Sequence, residues 1–155
     1  MKRMSEYQND SQQHQQELQQ QIQEGQRIVQ EIARVKEGLS DVPAGLDDDL
    51  ASEIGQAVES ARNEAREDMN QVISQKDQVV GQMEQAGQEI GDKISDNNRA
   101  ASQLEGASGS YGASEIGRVA SRIQENTSLG ESIQTELNHA AQEAESALNS
   151  LESEI

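Results

Sequence analysis

"GQMEQAGQEIG", residues 81–91, decides how many helices this chain has. Each glycine in a helix interior costs about 1 kcal/mol relative to alanine. The stretch therefore reads either as the break between two helices or as the weak part of one. The flanking apolar residues favour one helix. Leu50, Ile54, Val58, Ala61, Ala65, Val72, Val79, Met83, Ala86, Ile90, Ile94, Ala101 and Leu104 recur on helical seam spacing, and the seam keeps its phase across Gly81, Gly87 and Gly91. We expect a continuous helix over 47–105, curved if anything, roughly 90 Å long at the α-helical rise. The stretch is not a phosphate loop, because it has no Lys-Ser or Lys-Thr end and no strand before it.

On its N-terminal side lies "SDVPAGLDDDL", residues 40–50. Pro43 cannot continue a helix and biases Val42 to an extended conformation. Asp47, Asp48 and Asp49 then stand where carboxylates cap free amides and oppose the helix dipole. A calcium loop is the other reading of three aspartates. It fails here, because the alternating oxygen ligands and the central glycine of an EF-hand are missing. Before the turn, Leu18, Ile22, Ile28, Ile32, Val35 and Leu39 predict a helix over 5–40. Its first part is glutamine-rich ("SQQHQQELQQQIQ", residues 11–23) and should be helical only if something supports it.

On the C-terminal side, "GASGSYGASE", residues 106–115, reads as a second turn through Gly106, Gly109 and Gly112. A third helix over 113–155 follows, striped by Ile116, Val119, Ile123, Ile133, Leu137, Ala140, Ala144, Leu148, Leu151 and Ile155. Asn126 and Gly130 stay in phase and read as polar or small layers of that helix. Two short turns make consecutive helices reverse. The expected fold is all-α: a long antiparallel helical hairpin or three-helix coiled-coil-like bundle, a single elongated domain over 1–155. If Ser40 faces Asp47 and Glu105 faces Ala113, all three helices overlap only along residues 63–82. The flanks Leu50–Val58 and Met83–Leu104 would then be open to further helices, giving a homodimer or a complex with another helical chain.

Composition narrows the function. Hydrophobic residues are 32% of the chain, against roughly 45–50% in ordinary globular proteins. Phe, Trp and Cys are absent, so a narrow seam can be buried but not a thick core, and neither disulfides nor thiolate zinc sites are available. The net charge of −17 disfavours nucleic acid and anionic membranes as partners. No apolar run is long enough to span a bilayer. No nucleophile sits in a recognisable arrangement with His14 or His139, and His139 with Glu143 gives two ligands where a metal site needs more. We expect no catalytic residues, no metal and no cofactor. "NDS" and "NTS" match the glycosylation sequon but follow no signal peptide. The protein should be cytoplasmic or leave the cell by a leaderless route.

A small-residue turn between long amphipathic helices, an acidic surface, and the absence of a leader and of Cys together resemble the WXG100/LXG-like helical-hairpin proteins of type VII secretion. This chain has no Trp-Xaa-Gly turn. Tyr111 and Glu115, in "YGASE", match that family's export signal of a tyrosine followed four residues later by an acid, although here the pair precedes the last helix. The resemblance implies a non-enzymatic interaction protein that is a type VII secretion substrate or a partner or chaperone of one, with Tyr111 and Glu115 as its recognition motif. The alternative is an intracellular structural or scaffold coiled coil with no export role.

Overall fold

The computed structural model describes residues 2–107 and 112–155. Among them it contains three helices and no strand: α1 (Met4–Ser40), α2 (Asp48–Ala107) and α3 (Ala113–Ser153). α2 is unbroken through Gly81, Gly87 and Gly91, and α3 is unbroken through Asn126 and Gly130.

Each boundary has a local cause. At the start of α1 the Glu6 carboxylate accepts the Arg3 amide at 3.1 Å, which satisfies one of the orphan donors of the first turn. The end of α1 tightens, with Asp41 N–H donating to the Gly38 carbonyl and Val42 N–H to that of Leu39. Pro43 then prevents continuation. α2 starts when Ala51 N–H donates to the Asp47 carbonyl at 2.9 Å, leaving Asp48 and Asp49 in the first turn, as the dipole favours. Before α3, Gly112 has φ of +80°, a conformation costly for any residue with a Cβ, and its carbonyl accepts Ile116 N–H at 3.0 Å.

The chain divides into two compact units. Unit 2 comprises Glu17–Val79 and Gln142–Ile155. Its core is an apolar cluster of Ile28, Ile32, Ala65, Met69, Val72 and Leu148, with Val35, Ala61, Leu151 and Ile155 packed against it. Gly25 sits where the helices approach closely: a Cβ there would stand 2.9 Å from Leu148 and 3.1 Å from Leu151. Lys36 Nζ ties α1 to α3 by donating to the Glu154 carbonyl at 3.2 Å. One seam position is filled unexpectedly. Lys76 is buried, its ammonium paired with Asp77 at 2.7 Å, so its long aliphatic stem occupies the layer between Val72 and Val79 while the charge reaches the exposed carboxylate.

Unit 1 comprises Met1–Gln16 and Val80–Ala141. Met4, Tyr7, Met83, Ile90, Ile133 and Leu137 are buried in it, along with Ser11. This is the support that the glutamine-rich part of α1 requires. Gly130 provides a second close approach, since a Cβ there would lie 2.8 Å from Met4 and 3.2 Å from Ile90.

Two details differ from the sequence reading. Asn126 is exposed, and the half-buried Thr127 takes the seam position before Gly130. A 3.6-residue helix drifts against a strict heptad, and here the drift moves the stripe by one residue. The overlap of three helices is also longer than 63–82. Met83 and Ile90 are 2% and 0% exposed, and Tyr7, not Ser5 alone, reaches α2 as far along as Glu89. Interdigitating side chains set the register between α1 and α2, and counting loop residues does not predict it. The open flank of α2 thus shrinks to its first turns, where Leu50 is 46% exposed, and to the half-buried Asn97, Ala101 and Leu104.

Candidate functional site

The three glycines of residues 81–91 separate into distinct roles. Gln134 of α3 donates its side-chain amide to the Gly87 carbonyl at 2.9 Å, and a Cβ at Gly91 would press on that amide at 3.3 Å. Gly91 therefore leaves room for a polar clamp from α3 onto the backbone of α2, whereas a Cβ at Gly87 would meet open space and only its carbonyl takes part. Gly81 is exposed with open space around it, and nothing in the structure explains it.

A second clamp fixes the start of α1. Tyr7 is buried, and its hydroxyl donates to Glu89 of α2 at 2.7 Å. Burial first, and then the bond to Glu89, push the phenol up to about 12. Lys2 and Lys93 lie 5.1 and 6.0 Å from the centroid of the Tyr7 ring, within cation–π range. Lys2 is also bonded to Asp10 at 2.8 Å, which with the charge of Asp10 raises its pKa.

These clamps hold together the walls of a groove of about 670 Å³ in unit 1. Lys2 and Arg3, just before α1, line it with Met4 of α1; α2 contributes Lys93, Asp96 and Asn97; α3 contributes Val119, Arg122, Ile123 and Leu129. Four cations and one carboxylate thus line the groove, with Lys2 already paired to Asp10, in a chain where Asp and Glu outnumber Lys and Arg by 29 to 12. Between the cations the wall is apolar, and Val119 is 42% exposed. Among the described residues neither Lys93 nor Arg122 forms an ion pair, and the buried Asn97 Nδ2 has no hydrogen-bond partner. Free cations around exposed apolar surface suit an anionic, amphipathic ligand.

Of the residues singled out from the sequence, Tyr111 lies outside the described residues. Glu115 is exposed in the first turn of α3 and does not line the groove. His14 is half-buried, and His139 and Glu143 are exposed. Among the described residues no group of three or more His, Cys, Asp or Glu could hold a metal ion, and no helix is long and apolar enough to cross a membrane. Sequence reasoning missed Lys2, Tyr7, Lys93 and Arg122. The Lys2–Tyr7 segment, Lys93 and Arg122 are far apart in the chain, and only the register of the helices brings them together.

In comparisons with known proteins, no family model, no curated protein and no solved structure matches this chain.

Proposed function

We propose that this is a non-enzymatic helical interaction protein whose docking surface is the cationic, apolar groove of unit 1, and that its partner presents an acidic amphipathic helix. The carrying observation is the gathering of Arg3, Lys93 and Arg122 around exposed Val119 on a chain of net charge −17. Nucleic acid is also anionic, but an overall negative field opposes its approach. An acidic helix meets the same field at smaller total charge and adds an apolar face for Val119, Ile123 and Leu129 to cover.

Fluorescence anisotropy tests this with three labelled helical peptides: acidic amphipathic, basic amphipathic, and acidic without an apolar face. The first should bind, and the other two should bind at least about tenfold more weakly, because both charge and apolar contact contribute. Lys93→Glu with Arg122→Glu should abolish the binding while leaving helix content unchanged. Equal binding of all three peptides, or of the acidic one to the double variant, contradicts the reading.

A role as a type VII secretion substrate or partner is a second reading, favoured by the exposure of Glu115 at the start of α3. Tyr111→Ala and Glu115→Ala should each block export by a type VII system without altering the melting temperature. Undiminished export of both variants removes this reading, leaving a scaffold coiled coil without an export role.

A further inference from the structure

Among the described residues two large apolar side chains stand exposed, Leu50 at 46% and Val119 at 42%. Their surroundings are of opposite charge. Val119 lies in the groove with Arg3, Lys93 and Arg122. Leu50 opens α2 beside Asp47, Asp48, Asp49 and Glu53, all exposed. Three consecutive carboxylates exceed the roughly half-unit positive charge of a helix start, so this turn is a net anion. Ile54 and Val58 continue its apolar stripe, half-buried. The first turns of α2 are thus an acidic amphipathic helix of the kind the groove suits.

We infer that the groove of unit 1 receives the start of α2 from a second copy of this chain, with Leu50 against Val119 and the aspartates against Lys93 and Arg122. This rests on the reading of the groove given above and names its partner. The contact pairs two different surfaces, the groove and the helix start, so copies join either into a closed ring, a reciprocal dimer included, or into a growing chain, according to the rotation between them. A few turns of helix bury less than a standard interface, so the association is transient, concentration-dependent and salt-sensitive.

The arrangement permits a complementation test by sedimentation velocity on the full chain. Wild type should grow in mass as concentration rises to hundreds of micromolar, and added salt should weaken this about tenfold. Leu50→Asp removes the helix end but keeps the groove; Val119→Asp spoils the groove but keeps the helix end. Each alone should stay monomeric, and their mixture should give a one-to-one dimer that grows no further. Arg122→Glu replaces Val119→Asp if circular dichroism shows the latter misfolded. Wild type monomeric throughout, single variants that associate like wild type, or a mixture that does not pair would each overturn the inference. The groove reading fails separately: a monomeric wild type that binds the acidic peptide has the groove but another partner, and one that binds no peptide has neither.

Discussion

In unit 2 the helices are joined by a contiguous apolar cluster, Ile28, Ile32, Ala65, Met69, Val72 and Leu148. In unit 1 the buried Met4, Met83, Ile90, Ile133 and Leu137 are accompanied by two oriented polar contacts between helices, the Tyr7 hydroxyl on Glu89 and the Gln134 amide on the Gly87 carbonyl. The clefts differ in charge as well. The small one in unit 2, about 200 Å³, is edged by Glu31, Glu64 and Asp68, whereas the large one in unit 1 is edged by Lys2, Arg3, Lys93 and Arg122. Apolar clusters give stability without direction, and oriented bonds to buried polar groups give geometry at smaller net gain. The cationic groove proposed as a docking surface lies in unit 1, with these oriented contacts.

The largest effect that could break this contrast is at Ile32, 3% exposed in the unit 2 cluster. Ile32→Asp places an unpaired charge there and should cost about 3–5 kcal/mol, enough to unfold the chain or loosen it visibly in thermal melts followed by circular dichroism. Val119→Asp, on the exposed wall of unit 1, should change stability by less than about 0.5 kcal/mol. Similar melting shifts for the two would remove the distinction.

Glycines provide the next test. Gly25→Val must push against Leu148 and Leu151, and such overpacking costs about 1–3 kcal/mol. Gly81→Ala meets open space in mid-helix and should stabilise by about 0.5–1 kcal/mol. Chemical denaturation measures both. A stabilising Gly25→Val would show that α1 and α3 are not in close approach there.

Tyr7 sharpens the comparison from the side of unit 1. Tyr7→Phe deletes the donor to Glu89 and should cost about 1–2 kcal/mol. The sign of the pH effect follows from a folded-state pKa raised from 10.0 to about 12. The folded chain holds this proton more tightly, so the stability it confers is complete below pH 10 and is lost as pH rises from there towards 12. Ultraviolet titration of the phenolate in a Tyr111→Phe background isolates the group. Ionisation of Tyr7 near its ordinary value would mean that it is not clamped.

The smallest effect is that of salt, and its two arms have opposite signs. Screening the mutual repulsion of 29 acidic side chains should raise the melting temperature from low ionic strength. The same screening should weaken docking at the groove. A melting temperature that falls with the first added salt would mean that attraction, not repulsion, dominates the surface.

Much of the fold was legible because helix signals are local. The seam carried α2 across Gly81, Gly87 and Gly91, Asp47–Asp49 marked its start, and Gly130 read as a small layer. Side-chain composition hid other seam positions. Lys76 is absent from the apolar stripe read between Val72 and Val79, yet its stem is buried with its charge on Asp77, and Gly25, outside any apolar pattern, admits Leu148 and Leu151. The groove was not legible. Lys2 just before α1, Lys93 on α2 and Arg122 on α3 meet only through an inter-helix register that follows from packing across the whole seam. A net charge summed over the chain conceals it further.

Hydrogen exchange followed by mass spectrometry tests the central claim most directly: α2 is one helix, with an apolar anchor in unit 2 and more weakly held ends. Peptides covering residues 61–72 should exchange only at the rate of global unfolding. Peptides over 81–91 should be protected, though less, because the helix runs unbroken there with the Gly87 carbonyl held by Gln134. Residues 97–107 and the first turns of α2 should exchange through local opening. Fast exchange over 81–91 beside protected neighbours would mean that the helix breaks there, and uniform protection along α2 would mean that the two units are held alike.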